Sequence, residues 1–113
     1  MIGIDIVTVS RIEKMLNRFG EKGLKKFLND TEIKLVKSPQ TAAGLWAAKE
    51  AFSKALGTGI GSECSFLDIE ITKNPNGKPL FTSKTLEKFC LKQADLSISH
   101  DGNFAIAAVI IIK

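Results

Sequence analysis

One stretch limits the possible folds more than any other. Residues 41–56 read as a single long helix that stops at Gly57. At about 100° per residue, Leu45, Ala48, Ala51, Phe52, Ala55 and Leu56 share one face, the side a core would cover. Glu50 and Lys54 fall on the opposite side within about 40° of each other. Ala43 and Ala47 flank them, and small residues beside a carboxylate and an ammonium leave room for a ligand. Lys49 and Ser53 occupy a neighbouring stripe. An exposed Glu/Lys pair at i, i+4 would contribute only about 0.3–0.5 kcal/mol, so the pair alone does not mark a site.

The rest of the chain offers short elements to pack on that helix. Residues 2–7 are rich in β-branched residues and read as a first strand. Ser10-x-x-Glu13 is a capping-box pattern opening a helix to about Phe19, with Gly20 as its stop. Shorter helices are expected at 24–28 and 32–36, and Ser38-Pro39 breaks the pattern. Residues 66–72 alternate as a half-buried strand, Asn74-Pro75-Asn76-Gly77 turns, and 79–82 return as a second strand. A short helix at 85–92 precedes a hairpin of 96–99 and 104–112 across Asp101-Gly102. The expected fold is α+β: one domain over residues 1–113, with a largely antiparallel sheet packed against the long helix.

Composition narrows the class. Hydrophobic residues are 44% and charged residues 25%, an ordinary globular balance that excludes disordered and collagen-like chains. The longest apolar run, residues 104–112, is strand length, far short of the roughly 20 residues that span a membrane. No signal peptide is visible, and Cys64 and Cys90 sit in no metal-binding or redox spacing, so a cytoplasmic protein without a membrane partner is expected. The net charge of +4 fits plain solubility or an acidic or phosphorylated partner. Nucleic acid is not expected: there is no Tyr, and no RNA- or DNA-binding motif occurs.

A few residues stand out chemically. Asp5 interrupts an apolar strand, on the same face as Gly3 and Val7. It either faces solvent by alternation or is held inward by a cation, and a second carboxylate nearby would make a magnesium site with phosphate oxygens and water. His100, the only histidine, ends Ser97-Ile98-Ser99-His100 and reads as a loop-edge phosphate ligand or an idle turn residue. Gly57-Thr58-Gly59-Ile60-Gly61 matches no phosphate-loop motif and reads first as a helix stop. On the first helix, Arg11, Lys14 and Arg18 align at i, i+3, i+7 beside Ile12, Leu16 and Phe19, with Met15 at the border. Such a stripe is either a solvated basic face or a dock for an acidic helix.

Taken in order, these segments resemble the small bacterial holo-acyl-carrier-protein synthases, a branch of the 4′-phosphopantetheinyl transferases. The resemblance is carried by Gly3-Ile4-Asp5-Ile6, by residues 46–55 (WAAKEAFSKA) and by Ser97-Ile98-Ser99-His100. The glycine loop 57–61 and Asn76-Gly77-Lys78-Pro79 match in the same order, so nearly the whole chain is covered. It implies transfer of the phosphopantetheine arm of coenzyme A to a serine of apo acyl carrier protein, giving adenosine 3′,5′-bisphosphate and supporting fatty acid biosynthesis. It also implies catalytic roles for Asp5, Glu50 and Lys54, with Asp5 and Glu50 holding magnesium (manganese being possible) and Lys54 meeting the pyrophosphate. Lys49, Ser53, Lys54, Gly57, Gly59, Lys78, Pro79 and His100 would line the coenzyme A site. Arg11, Lys14, Met15 and Arg18 would dock the acidic carrier, and the family is typically a homotrimer with active sites between protomers. Two departures stand out: Leu45-Trp46 where many relatives carry Arg-Phe, and Phe104 where tyrosine is common. A non-catalytic coenzyme-A-binding module and a structural oligomer remain as alternatives from the residues alone.

Overall fold

The computed structural model describes residues 1–113. Strand β1 (Ile2–Thr8) leads into α1 (Val9–Phe19), α2 (Glu21–Lys25), α3 (Asp30–Ile33) and the long α4 (Pro39–Leu56). A 3₁₀ turn (Phe66–Asp68), β2 (Ile71–Lys73), β3 (Pro79–Phe81), α5 (Ser83–Lys88), β4 (Gln93–Asp101) and β5 (Phe104–Ile112) follow. An antiparallel sheet of order β1-β5-β4 carries α4 on one face, and β2 and β3 form a separate two-stranded sheet. The α+β architecture with a long helix on an antiparallel sheet is therefore present.

Small residues let α4 lie close to the sheet. On β5, Ala105, Ala107, Val109 and Ile111 point inward and are buried, while Phe104, Ile106, Ile110 and Ile112 point outward. On β1, Gly3 and Val7 are the buried inward residues. A Cβ on Gly3 would collide with the Ala51 carbonyl oxygen and lie 2.6 Å from the Ala55 nitrogen. Helix backbone thus fills the space above Gly3 and leaves none for a ligand. Ala43 and Ala47 are likewise 0% exposed. They are core contacts, not the walls of a ligand site, because the helix is covered on nearly every side.

Several local expectations change for identifiable reasons. Ser38-Pro39 starts α4 instead of breaking it: Ser38 Oγ accepts from the Thr41 N–H at 3.3 Å and Pro39 takes the first turn, where no N–H is needed. At the other end, Gly57 adopts a left-handed φ of 87°. Ser10 does not cap α1. Asn103, in the β4–β5 turn, accepts from the Ser10 N–H at 2.9 Å and donates to Ser10 Oγ at 3.0 Å. A partner 93 residues away leaves no local trace in the sequence. A capping box does form at Asn29 and Glu32. Residues 66–72 are not one strand, since Ser65 and Asp68 lock a 3₁₀ turn and only Ile71–Lys73 pair.

Two aromatic groups fill the ends of the core. Phe52 meets Phe81 and Phe89, while Phe27, Trp46 and Phe66 form a second cluster. Beside the second lies a buried ion pair, Lys49 Nζ to Glu32 Oε1 at 2.8 Å, both side chains 0% exposed. Lys49 also donates to the carbonyls of Phe27 (2.7 Å) and Phe66 (3.0 Å), and Glu32 accepts from the N–H groups of Asn29 and Ile71. Every buried side-chain polar atom has a partner, which makes the burial of charge affordable.

Because the Gly3 contact is backbone against backbone, Gly3→Ala is expected to force strand and helix apart. The predicted loss is at least about 1–3 kcal/mol, the usual cost of overpacking. Urea unfolding measures it, and a loss below about 0.5 kcal/mol would contradict the close approach.

Candidate active site

The approach of α4 to β1 assembles a charged cluster at the rim of their contact. Asp5 shares the helix side of β1 with Gly3 and Val7, and its side chain is 14% exposed. Lys54 Nζ donates to Asp5 Oδ1 at 2.9 Å and to the Ile4 carbonyl at 3.2 Å. Asp5 is therefore held toward the helix by a cation, and that cation is Lys54. Glu50, one turn before Lys54, is half-buried. Burial pushes its carboxyl above the ordinary value of 4.5, and the charge of Asp5 pushes it further, against the opposing pull of Lys54 and Arg11. Asp5, Glu50 and Lys54 are thus brought together, with Arg11 of α1 close enough to be felt.

Two crowded carboxylates repel each other, and a hard divalent cation relieves that repulsion. No group of three or more candidate metal ligands occurs in the structure. The donor set nevertheless fits magnesium, which is commonly held by one or two carboxylates together with substrate phosphates and water.

A second cluster lies at the opposite end of α4. A cleft of about 190 Å³ is lined by Thr41, Gly44, Leu45, Lys73, Gly77, Pro79, Ile98 and His100. It unites Pro79 and His100 from the expected set. His100 lies within β4, not at a loop edge, and its Nε2 is 2.9 Å from the Gln40 carbonyl oxygen. Strand alternation turns Ser97 and Ser99 to the other face, so the two hydroxyls do not join the histidine. Lys78 is adjacent but donates across to the Leu96 carbonyl at 3.1 Å. Thr41, Gly44 and Lys73 were not singled out from the sequence, because only the fold aligns them. A larger cleft of about 490 Å³, around Asn29, Glu70 and Lys84, shares no residue with either cluster.

Four expected site residues, Lys49, Ser53, Gly57 and Gly59, take structural duties in this protomer. Lys49 is sealed in the Glu32 pair, where burial lowers its amine below the ordinary range against the pull of Glu32, so it cannot line a cofactor site as expected. Ser53 is buried and donates to the Glu50 carbonyl at 2.7 Å. The N–H groups of Gly57, Thr58 and Gly59 all bond the Ser53 carbonyl, so the glycine loop presents none of these donors to a phosphate. On α1, Arg11, Lys14 and Arg18 are exposed along one side and Met15 is half-buried, as the stripe requires.

The raised carboxyl of Glu50 fixes the sign of a pH effect. A carboxyl that binds its proton more tightly folded than unfolded loses stability as pH rises from 4.5 through the folded-state value. In metal-free buffer Glu50→Gln is expected to melt above the wild type at pH 7, with the gap closing as pH falls toward 4.5. Thermal unfolding across that range checks it, and a variant less stable at pH 7 would contradict it.

Comparison with known proteins identifies the family. A family model described as the 4′-phosphopantetheinyl transferase superfamily matches residues 1–109. The chain is 76% identical over 113 residues to the holo-[acyl-carrier-protein] synthase of Nautilia profundicola, covering 100% of both. It superposes on the Helicobacter pylori holo-[acyl-carrier-protein] synthase in complex with coenzyme A with a TM-score of 0.92, at 49% identity, over 98% of this chain and 99% of that one. The Bacillus anthracis enzyme in complex with CoA (3′,5′-ADP) gives a TM-score of 0.82 at 43% identity, over 97% and 93% of the two chains. The chain belongs to the 4′-phosphopantetheinyl transferase superfamily.

Proposed function

We propose that this chain is a holo-[acyl-carrier-protein] synthase. It moves the 4′-phosphopantetheine group of coenzyme A to a serine hydroxyl of apo acyl carrier protein and releases adenosine 3′,5′-bisphosphate. The convergence of Asp5, Glu50 and Lys54 in a chain that matches a holo-[acyl-carrier-protein] synthase over that relative's whole length carries this reading. The carrier serine oxygen attacks the phosphorus attached to the pantetheine, and the bond from that phosphorus to the bridging pyrophosphate oxygen breaks.

Glu50 suits the proton acceptor, directly or through one water, because its carboxylate stands half-buried at the rim one turn from Lys54, where a substrate can reach it. Lys54, 51% exposed, can swing from Asp5 to the pyrophosphate and offset charge on the departing oxygens. Asp5 and Glu50 would hold magnesium, with manganese as a substitute, and the ion would supply charge neutralisation at the phosphate oxygens. The 190 Å³ cleft with Pro79 and His100 suits a further part of coenzyme A, with Leu45 in the wall where many relatives place arginine.

The site is shallow for so large a cofactor, which agrees with a homotrimer whose active sites lie between protomers. The outer sheet face leaves Ile2 64%, Ile4 58%, Ile6 58%, Ile106 42% and Ile110 50% exposed. A contiguous apolar sheet face of this kind marks a protein interface, here one between copies. No helix is long and apolar enough to cross a membrane, and the free thiols Cys64 and Cys90 suit a cytoplasmic setting.

Incubation with apo acyl carrier protein, coenzyme A and magnesium is expected to raise the carrier's intact mass by one phosphopantetheine, with loss of the product when a chelator is added. Glu50→Ala is expected to slow transfer by roughly a hundredfold or more while the protein stays folded. No mass gain on a carrier that another synthase can modify would contradict the assigned reaction.

A further inference from the structure

We propose that Trp46 is a positioning residue, seating the Arg11 guanidinium at the entrance to the acid pair where an acidic protein substrate meets it. The identity of that substrate rests on the transferase reading above; the contact does not.

Arg11 Cζ lies 5.4 Å from the centroid of the Trp46 ring, within cation–π range. The ring is itself anchored, with the Phe66 centroid at 4.7 Å and the Phe27 centroid at 5.0 Å. Arg11 forms no salt bridge; the three ion pairs are Lys49–Glu32, Lys54–Asp5 and Lys88–Asp68. Its charge is therefore available to a partner, while the stacked ring limits the conformations of its long side chain. Trp46 is also one helical turn before Glu50, on the same side of α4. The ring thus links the basic stripe of α1 to the acid pair.

Its neighbours on the stripe lack this link. Lys14 makes no ion pair, and Arg18 Cζ lies 5.1 Å from the ring centroid of Phe19, a residue of its own helix. Preorganising one arginine next to the reacting groups lowers the ordering cost of binding an acidic surface. On the transferase reading coenzyme A occupies the cleft with Pro79 and His100, whose lining includes neither Trp46 nor Arg11. Trp46 therefore tunes recognition of the protein substrate and not of the cofactor.

The test compares steady-state transfer by wild type, Trp46→Leu, Trp46→Phe, Arg11→Gln and the Trp46→Leu/Arg11→Gln double variant. Trp46→Leu is expected to raise KM for the carrier roughly two- to fivefold, the range of an exposed cation–π contact, with KM for coenzyme A unchanged. Trp46→Phe should largely rescue it, and the double variant should be no worse than Arg11→Gln alone. Multiplying effects, or an equal rise in KM for coenzyme A, would overturn the proposal. Trp46 is the only tryptophan, so its emission reads the contact without turnover. Arg11→Gln is expected to shift it, and an unshifted spectrum overturns the contact. Absence of transfer by the wild type despite a spectral shift would overturn the assigned reaction and the role in substrate recognition, and leave the contact standing.

Discussion

Strand β1 touches helix α4 backbone to backbone at Gly3, and the site depends on that contact. Gly3 meets Ala51 and Ala55; Glu50 and Lys54 are the residues immediately before each. Asp5, two residues beyond Gly3, projects from the same side of the strand about 7 Å further along. The close approach therefore delivers a carboxylate from the sheet to a carboxylate and an ammonium on the helix. Any side chain at position 3 would hold the two elements apart and separate the three groups.

Consecutive residues of α4 serve different ends because each turns by about 100°. Lys49 faces inward to a sealed ion pair that joins the Phe27 and Phe66 segments to the helix. Glu50 faces the rim, where half-burial raises its proton affinity without isolating it from substrate. Ala51 faces the strand and must be small. One short segment thus anchors two loops, presents the acid and permits the approach.

Much of this was legible in the sequence. The length of α4, the first strand and the final hairpin follow from periodicity and stop residues, and the i, i+4 pair at Glu50 and Lys54 was visible as a pair. Its link to Asp5 was available only through resemblance, since nothing local says that residue 5 meets residue 54. Lys49 was assigned to the coenzyme A site by resemblance alone, and nothing local in the sequence pairs it with Glu32, 17 residues away. The cap on α1 comes from Asn103 across the fold, so Ser10 appeared to be its own cap. Thr41 and Gly44 of α4 meet Lys73 of β2 only when β4 packs against both α4 and β3.

The most direct test of this account is carbon-detected NMR titration of the Glu50 carboxyl in metal-free protein, wild type against Asp5→Asn. The account predicts a wild-type carboxyl titrating above 4.5 and moving down when Asp5 loses its charge. A Glu50 carboxyl at the ordinary value, unmoved by Asp5→Asn, would mean that strand and helix do not bring the two acids together.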